Sequence, residues 1–292
     1  YSTAPGRNSS LVCSSRSIGT TAFGREIEAM AIGSGGRTVL FTAAHHANEW
    51  ITATVLLKFA EELSRAILEK GQVYGIPANL FEENCQIFLV PMVDPDGVDL
   101  VTGGIAQGSI QWEQAKRLSN NCPSVPFPNG WKANLLGVDL NLQYPAGWLQ
   151  AREIKFSQGY TRPGPRDYVG KAPLTQRESR ALADFTNYLD PALILAYHTQ
   201  GEQIYWKYDD IDVPGALALG QEFARLSGYS LEETPYASGF AGYKDWFIKV
   251  WRRPGFTIEA GLGENPLPIS QFDTIYAKNL GILTTAALGL PA

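Results

Sequence analysis

Only three histidines occur in the chain, and two are adjacent, in the stretch AAHHANEW at residues 43–50. His45 and His46 precede Glu49 by four and three residues. Two imidazoles and a carboxylate form a donor set suited to zinc. Catalytic zinc sites commonly use three protein ligands and leave a fourth position for water. An H-x-x-E spacing lets a histidine at a strand end and a glutamate in the first turn of the next helix meet at one ion. His46 has that spacing. His45 points the opposite way if the strand geometry continues, because successive side chains alternate. His46 and Glu49 are therefore expected to bind one zinc ion, with His45 as a neighbour. The second imidazole must come from elsewhere, and only His198 remains.

Taken alone, H-x-x-E is more often an ordinary loop sequence. Other positions weigh against that here. His198 follows the apolar run LILAY, Glu259 ends GFTIE, and Asp94 and Asp96 follow IFLVPMV. Separate apolar runs thus deliver acid or imidazole groups at their ends. A carboxylate near a metal can take a proton from water and later protonate a leaving amine, the role expected of Glu259. The competing role for Glu259 is a structural ion pair with Arg252 or Arg253. Asp94 and Asp96, in VDPDGV, read as turn formers, since Asp-Pro-Asp-Gly is strong turn chemistry.

These groups need a scaffold. VLFTAA (39–44), QIFLVPMV (86–93), ALILAY (192–197) and GFTIEA (255–260) read as strands, and QIYWKY as another. Helices are expected from Asn48 to Lys70, where Ile51, Val55, Leu56, Phe59, Leu63 and Ile67 recur at helical spacing, and near 214–227, 242–250 and 269–288. PLTQRESRALADFTNYL has the form of a capped helix, with Thr175 as N-cap and Glu178 three residues on. Strand–helix alternation predicts an α/β fold: three layers, a mostly parallel, mixed twisted sheet with helices on both faces. Ligands in such sheets bind beyond the carboxyl ends of the strands, where the polar residues above fall. Two Pro/Gly-rich stretches, 121–147 with NCPSVPFPNG and 157–173 with SQGYTRPGPRDYVGKAP, are expected to wall a cleft.

With 292 residues and 45% hydrophobic content, the chain can bury a large core, and residues 1–292 are expected to form a single catalytic domain. No apolar run is long enough to enter a membrane as a helix. A net charge of −5 and the lack of a Lys/Arg cluster argue against nucleic acid. Cys13, Cys85 and Cys122 allow one disulfide and a free thiol, or three thiols. The start at Tyr1, without Met or a signal segment, reads as a processed or cut chain and leans toward a location outside the cytoplasm, at the cell wall. Oligomeric state is left open.

The ordered motifs SIGTTAFGREI, HHANEW, VPMVDPDGVDL, GVDLN, YVGKAPLTQRES, AYHTQ, YASGFAGYKDW and FTIEAG cover nearly the whole chain and resemble the zinc carboxypeptidases of the pancreatic type. The resemblance implies zinc ligands at His46, Glu49 and His198 and a catalytic glutamate at Glu259. It also implies a substrate-binding asparagine at Asn141 and a mobile, substrate-capping tyrosine at Tyr236. The region before Ser17 looks short, so the family's first helix is expected to be abbreviated or missing.

The departures bear on substrate. The family follows GVDLN with an arginine that clasps the substrate's terminal carboxylate; here Leu142 follows. The oxyanion-stabilising arginine expected shortly before that motif is also lacking, and Lys132 is the nearest cation in sequence. Losing a bidentate clamp weakens ordinary C-terminal recognition. WKANLLGVDLNLQYPAGW, PRDYVGKAPLT, HTQGEQIYWKY and AGYKDWFIKVWRRPGFTIEAG resemble the branch of γ-D-glutamyl-meso-diaminopimelate peptidases. That resemblance implies a peptidoglycan stem peptide or muropeptide as substrate. Such an anionic, zwitterionic peptide needs fixed cations, and Arg162, Arg166 and Lys171 are the candidates beside Lys132. The alternatives are a general zinc carboxypeptidase with an altered carboxylate pocket, and a non-catalytic module that binds wall peptide.

Overall fold

The computed structural model describes residues 12–290. In chain order the elements are β1 (Cys13–Thr20), β2 (Glu26–Ile32), β3 (Arg37–Thr42), α1 (Ile51–Glu69), β4 (Gln72–Val73), β5 (Ile76–Pro77), α2 (Ala78–Asn84), β6 (Cys85–Val90), α3 (Pro95–Thr102) and α4 (Ile110–Ser119). There follow α5 (Trp148–Ser157), α6 (Arg177–Leu189), β7 (Leu193–His198), β8 (Gln203–Tyr205), α7 (Ala216–Ser227), β9 (Ser230–Glu232), α8 (Tyr243–Trp251), β10 (Gly255–Glu259) and α9 (Phe272–Leu288).

Eight strands form one sheet in the order β1-β2-β6-β3-β7-β10-β8-β9. The four central strands β6, β3, β7 and β10 run parallel. The edges add antiparallel pairs at β1–β2, β2–β6 and β10–β8, and a parallel β8–β9 pair. The central strands are buried on both sides, which is why they are continuous apolar runs. Register shows the two covers. Phe41 packs on Phe59 of α1, with ring centroids 6.4 Å apart. It lies in one row with Leu195 and Phe256, and Phe256 packs on Phe223 of α7 at 4.9 Å. Leu40 and Phe88 form the next row along, so they face the other way. There Phe88 meets Phe185 of α6 at 5.7 Å. Burying one such ring contributes roughly 1.5–3 kcal/mol. The three-layer, mixed sheet therefore has the expected form.

The parallel strands end at one edge, with β7 and β10 running two residues beyond β3 and β6. Thr42 pairs with Val90 and Ala196, and Glu259 with His198. From β3 the chain crosses by α1 to β6 on one side, while β7 is its neighbour on the other. Loops leaving β3 and β7 therefore diverge and open a crevice at that edge.

Several elements differ from expectation. The helix expected from Asn48 starts as a 3-10 turn (Ala47–Glu49) before α1, and the last helix begins the same way at Ile269–Gln271. Gln176, not Thr175, occupies the N-cap of α6, and it makes no side-chain cap bond. Thr175 Oγ1 instead contacts Gln143 Oε1 at 3.0 Å. Asp94 starts α3, accepting from Gly97 N at 3.0 Å, with Pro95 at the first helical position; the turn chemistry opens a helix. The edge hairpin β1–β2 and helices α2, α4 and α5 lie where short or polar segments gave no clear period. The three cysteines are unpaired, and only Cys85 is buried. Residues 1–11, where most of an abbreviated first helix would fall, lie outside the described residues; Cys13–Thr20 is strand.

Both Pro/Gly-rich stretches fold back over the crevice. Ala47 N donates to Lys132 O at 3.1 Å, Lys132 N to Pro165 O at 2.8 Å, and Asp139 N to Tyr168 O at 2.9 Å. Gly137, at φ 74°, permits the close crossing, because a Cβ there would sit 2.7 Å from Gly164 N.

Candidate metal centre and catalytic site

His46 leaves β3 in extended backbone and the 3-10 turn follows at once. Side chains at i and i+3 eclipse in such a turn, which brings Glu49 Oε1 to 2.8 Å from His46 Nδ1. His198, the last residue of β7, places Nδ1 3.1 Å from His46 Nδ1 and 2.9 Å from Glu49 Oε2. All three residues are buried. Tetrahedral zinc with bonds near 2.0–2.1 Å separates its ligand atoms by roughly 3.3 Å, and the three contacts are close to that edge length. The protonation pattern also fits. His46 Nε2 donates to Asp139 Oδ1 at 3.1 Å, so Nδ1 carries the bare lone pair facing Glu49 and His198. Despite burial, the two imidazoles hold the Glu49 carboxyl well below the usual range. Two imidazole nitrogens and an ionised carboxylate around one point are a zinc donor set.

His45 is no ligand. Its ring stacks on that of His198 at 5.5 Å and 23°, and Nε2 lies 3.3 Å from Tyr144 Oη. Burial first, then His198 and His46, push its pKa well down, so it is a neutral wall that orients its neighbour.

Glu259 ends β10 beside His198 and lines the same cavity of about 250 Å³ as the three ligands. Burial, then the Glu49 carboxylate, push its carboxyl up to about 8, while Lys132 and His46 pull it down. A metal cation would add to the downward pull. The competing pairing with arginine is not made: Arg253 binds Asp190 at 2.7 Å, and Arg252 is exposed.

Of the expected substrate groups, Lys132, Asn141 and Arg166 line this cavity, as does Leu142. Lys132 Nζ stands 3.8 Å from Asp139 Oδ2, and against desolvation the Asp139 and Asp167 carboxylates hold its pKa above normal. Asn141 Oδ1 accepts from Tyr243 N at 2.9 Å. Arg166 Nε contacts Asp167 Oδ2 at 2.5 Å. Arg162 and Lys171 are exposed and do not line the cavity. Tyr236 is 68% exposed and its hydroxyl binds Gln150 Nε2 at 2.7 Å; its neighbours Thr234, Pro235 and Ser238 reach the cavity instead.

Sequence reasoning missed three groups. Asp139 lies inside GVDLN, two residues before Asn141, and an acid so near a metal-site motif was an available signal. Lys155, from α5, pairs with Asp167 at 2.8 Å. Lys244 and Asp245 stand side by side in the first turn of α8, 2.6 Å apart, and both line the cavity. A second cavity of about 680 Å³ shares Glu49, Lys132, Arg166, Thr199, Tyr205 and Glu259 with the first, so these residues sit where two chambers meet.

The zinc carboxypeptidase (Peptidase_M14) family model matches residues 6–280. The chain is 44% identical over 265 residues to "Gamma-D-glutamyl-L-diamino acid endopeptidase 1" of Lysinibacillus sphaericus, covering 91% of this chain and 65% of that protein. It is 39% identical over 276 residues to the uncharacterized protein YqgT of Bacillus subtilis (strain 168), covering 94% and 71%. The chain thus spans about two thirds of the length of these relatives. The bovine thrombin-activatable fibrinolysis inhibitor, solved with a tick carboxypeptidase inhibitor, superposes with a TM-score of 0.71 at 16% identity, covering 94% of this chain and 89% of that one. That likeness is one of fold.

Proposed function

Because the chain belongs to the zinc carboxypeptidase family, we propose that it hydrolyses the amide bond between γ-D-glutamate and meso-diaminopimelate in peptidoglycan stem peptides. The observation that carries the substrate is the 44% identity to the Lysinibacillus sphaericus endopeptidase. The cavity is compatible. Leu142 stands where a carboxylate clasp would follow Asn141, and Lys132, Lys155, Arg166 and Lys244 are distributed around the walls.

His46 Nδ1, Glu49 and His198 Nδ1 would hold the zinc, which when bound supplies Lewis acidity and lowers the pKa of a water. Glu259 accepts the proton of the attacking water and returns it to the departing amine. Lys132, held cationic between Asp139 and Asp167, faces the negative charge that develops on the scissile carbonyl oxygen. Asn141 commits its oxygen to Tyr243 N, which leaves its Nδ2 hydrogens for a substrate carboxylate.

The test is incubation with L-Ala-γ-D-Glu-meso-diaminopimelate, with and without a chelator, followed by mass analysis. Release of diaminopimelate that stops with chelator and returns with zinc is expected. A zinc-loaded protein that cleaves no stem peptide overturns the proposal and favours a wall-peptide binding module. A general carboxypeptidase would release single C-terminal residues from ordinary L-peptides, which the apolar Leu142 disfavours.

A further inference from the structure

We infer that Arg166 recognises the free α-carboxylate that a γ-linked glutamyl residue carries on the acyl side of the scissile bond, and so selects against stem peptides in which that carboxylate is amidated. This rests on the proposed substrate. In a γ-glutamyl amide the chain runs through the side chain, which leaves the α-carboxylate free, four carbon–carbon bonds from the scissile carbonyl, about 5 Å away when extended. Amidation removes its charge and leaves its shape almost unchanged.

The two chambers divide the substrate. Asn141, Leu142 and Lys155 line only the first, where Asn141 has hydrogens to offer the departing residue. The acyl part then extends into the second chamber, of about 680 Å³, beside residues 124–130. Among the residues lining that chamber, the cations are Lys132 and Arg166. Lys132 faces the carbonyl oxygen, which leaves Arg166 for the acyl residue. The acids there are Glu49 and Glu259, both used by the reaction, and the exposed Glu264.

Arg166 is set up for such a contact. Its side chain is 41% exposed, and its Nε donates to Asp167 Oδ2 at 2.5 Å. Its two Nη groups make no hydrogen bond among the described residues. A guanidinium held at one edge can offer a carboxylate two parallel bonds. Asp167 is itself fixed: Oδ1 pairs with Lys155 Nζ at 2.8 Å, and its φ of 62° lies in the left-handed region uncommon outside glycine. The flanking residues are tied to the catalytic segment. Pro165 O accepts from Lys132 N and Ala133 N at 2.8 and 2.9 Å, and Tyr168 O accepts from Asp139 N at 2.9 Å. Arg166 therefore keeps a fixed place beside the lysine at the carbonyl oxygen. In this network Lys132, Lys155 and Arg166 meet only the Asp139 and Asp167 carboxylates, which leaves one positive charge for an anionic ligand.

Steady-state cleavage by the zinc-loaded protein of L-Ala-γ-D-Glu-meso-diaminopimelate and of its counterpart with the glutamyl α-carboxylate amidated tests this. kcat/KM is expected to be ~10-fold or more higher for the free acid. Arg166→Met should bring that ratio close to one. Arg166→Lys, which keeps the charge but not the fork, should retain only part of it, and it serves if Arg166→Met does not fold. No preference in the parent protein overturns the inference. So does an equal loss on both substrates in the variants, which would place Arg166 at the carbonyl oxygen instead. Calorimetric titration with the acyl-side products, L-Ala-D-Glu and L-Ala-D-isoglutamine, repeats the comparison without turnover. Preference for the free acid without stem-peptide cleavage sinks the hydrolase proposal alone; cleavage without preference sinks this inference alone.

Discussion

Asp139 Oδ1 lies 3.1 Å from His46 Nε2, on the side of the ring opposite the metal centre. This carboxylate decides which nitrogen of His46 carries the proton and therefore which one can bind metal. It is itself held ionised, despite burial, by Lys132 and His46.

Asp139→Asn should therefore lower zinc affinity ~10–100-fold, because a neutral amide no longer imposes one tautomer. Competition with a chromophoric chelator measures it. Unchanged affinity would show that the ring is oriented by something else.

Glu259→Gln should keep its full zinc content and lose turnover by ~100-fold or more, the range for a positioned general base. Metal analysis and a stem-peptide assay on the same sample make the comparison. Near-normal rates with intact metal would remove Glu259 from proton transfer.

Lys132→Met should reduce kcat ~100-fold or more with a smaller effect on KM, since its charge matters most when the carbonyl oxygen turns negative. Lys132→Arg should recover part of the rate. A change confined to KM would place Lys132 in ground-state binding.

Asp94 gives a stability prediction away from the metal. Burial, then the Glu178 carboxylate, raise its pKa well above the ordinary value, and Oδ2 has no partner. The folded state keeps this proton above about pH 3.9, where the unfolded chain has released it. Its contribution to stability is present below about pH 4 and is lost as pH rises through the folded pKa. Asp94→Asn keeps the acceptor for Gly97 N and does not titrate. Relative to the parent, its denaturation midpoint should rise as pH increases from about 4 toward the raised folded pKa. Parallel pH profiles would mean that Asp94 is ionised in the fold.

Much of the scaffold was legible because it is locally encoded. The runs ending at Thr42, Val90, His198 and Glu259 are apolar because both faces are covered, and their parallel alignment puts their ends on one edge. Helix α6 was legible as a helix, but its cap was not: Thr175 has the right chemistry, yet Gln143 takes its hydroxyl. Helix α5 escaped notice because its two buried side chains, Trp148 and Ala151, leave little apolar period.

The sequence by itself pointed to the His46, Glu49 and His198 cluster and to Glu259 beside it. A strand followed by one tight turn dictates where His46 and Glu49 meet, and a parallel sheet dictates that His198 and Glu259 end beside them. Only the tertiary structure decided the rest of the cavity. It brought in Asp139, Lys155 and the Lys244–Asp245 pair, and it left Arg162 and the Tyr236 ring outside. The reason is range: strand ends are placed by hydrogen-bond register, whereas side chains on long loops and helix turns are placed by contacts such as Lys132 N to Pro165 O, which no local spacing reports.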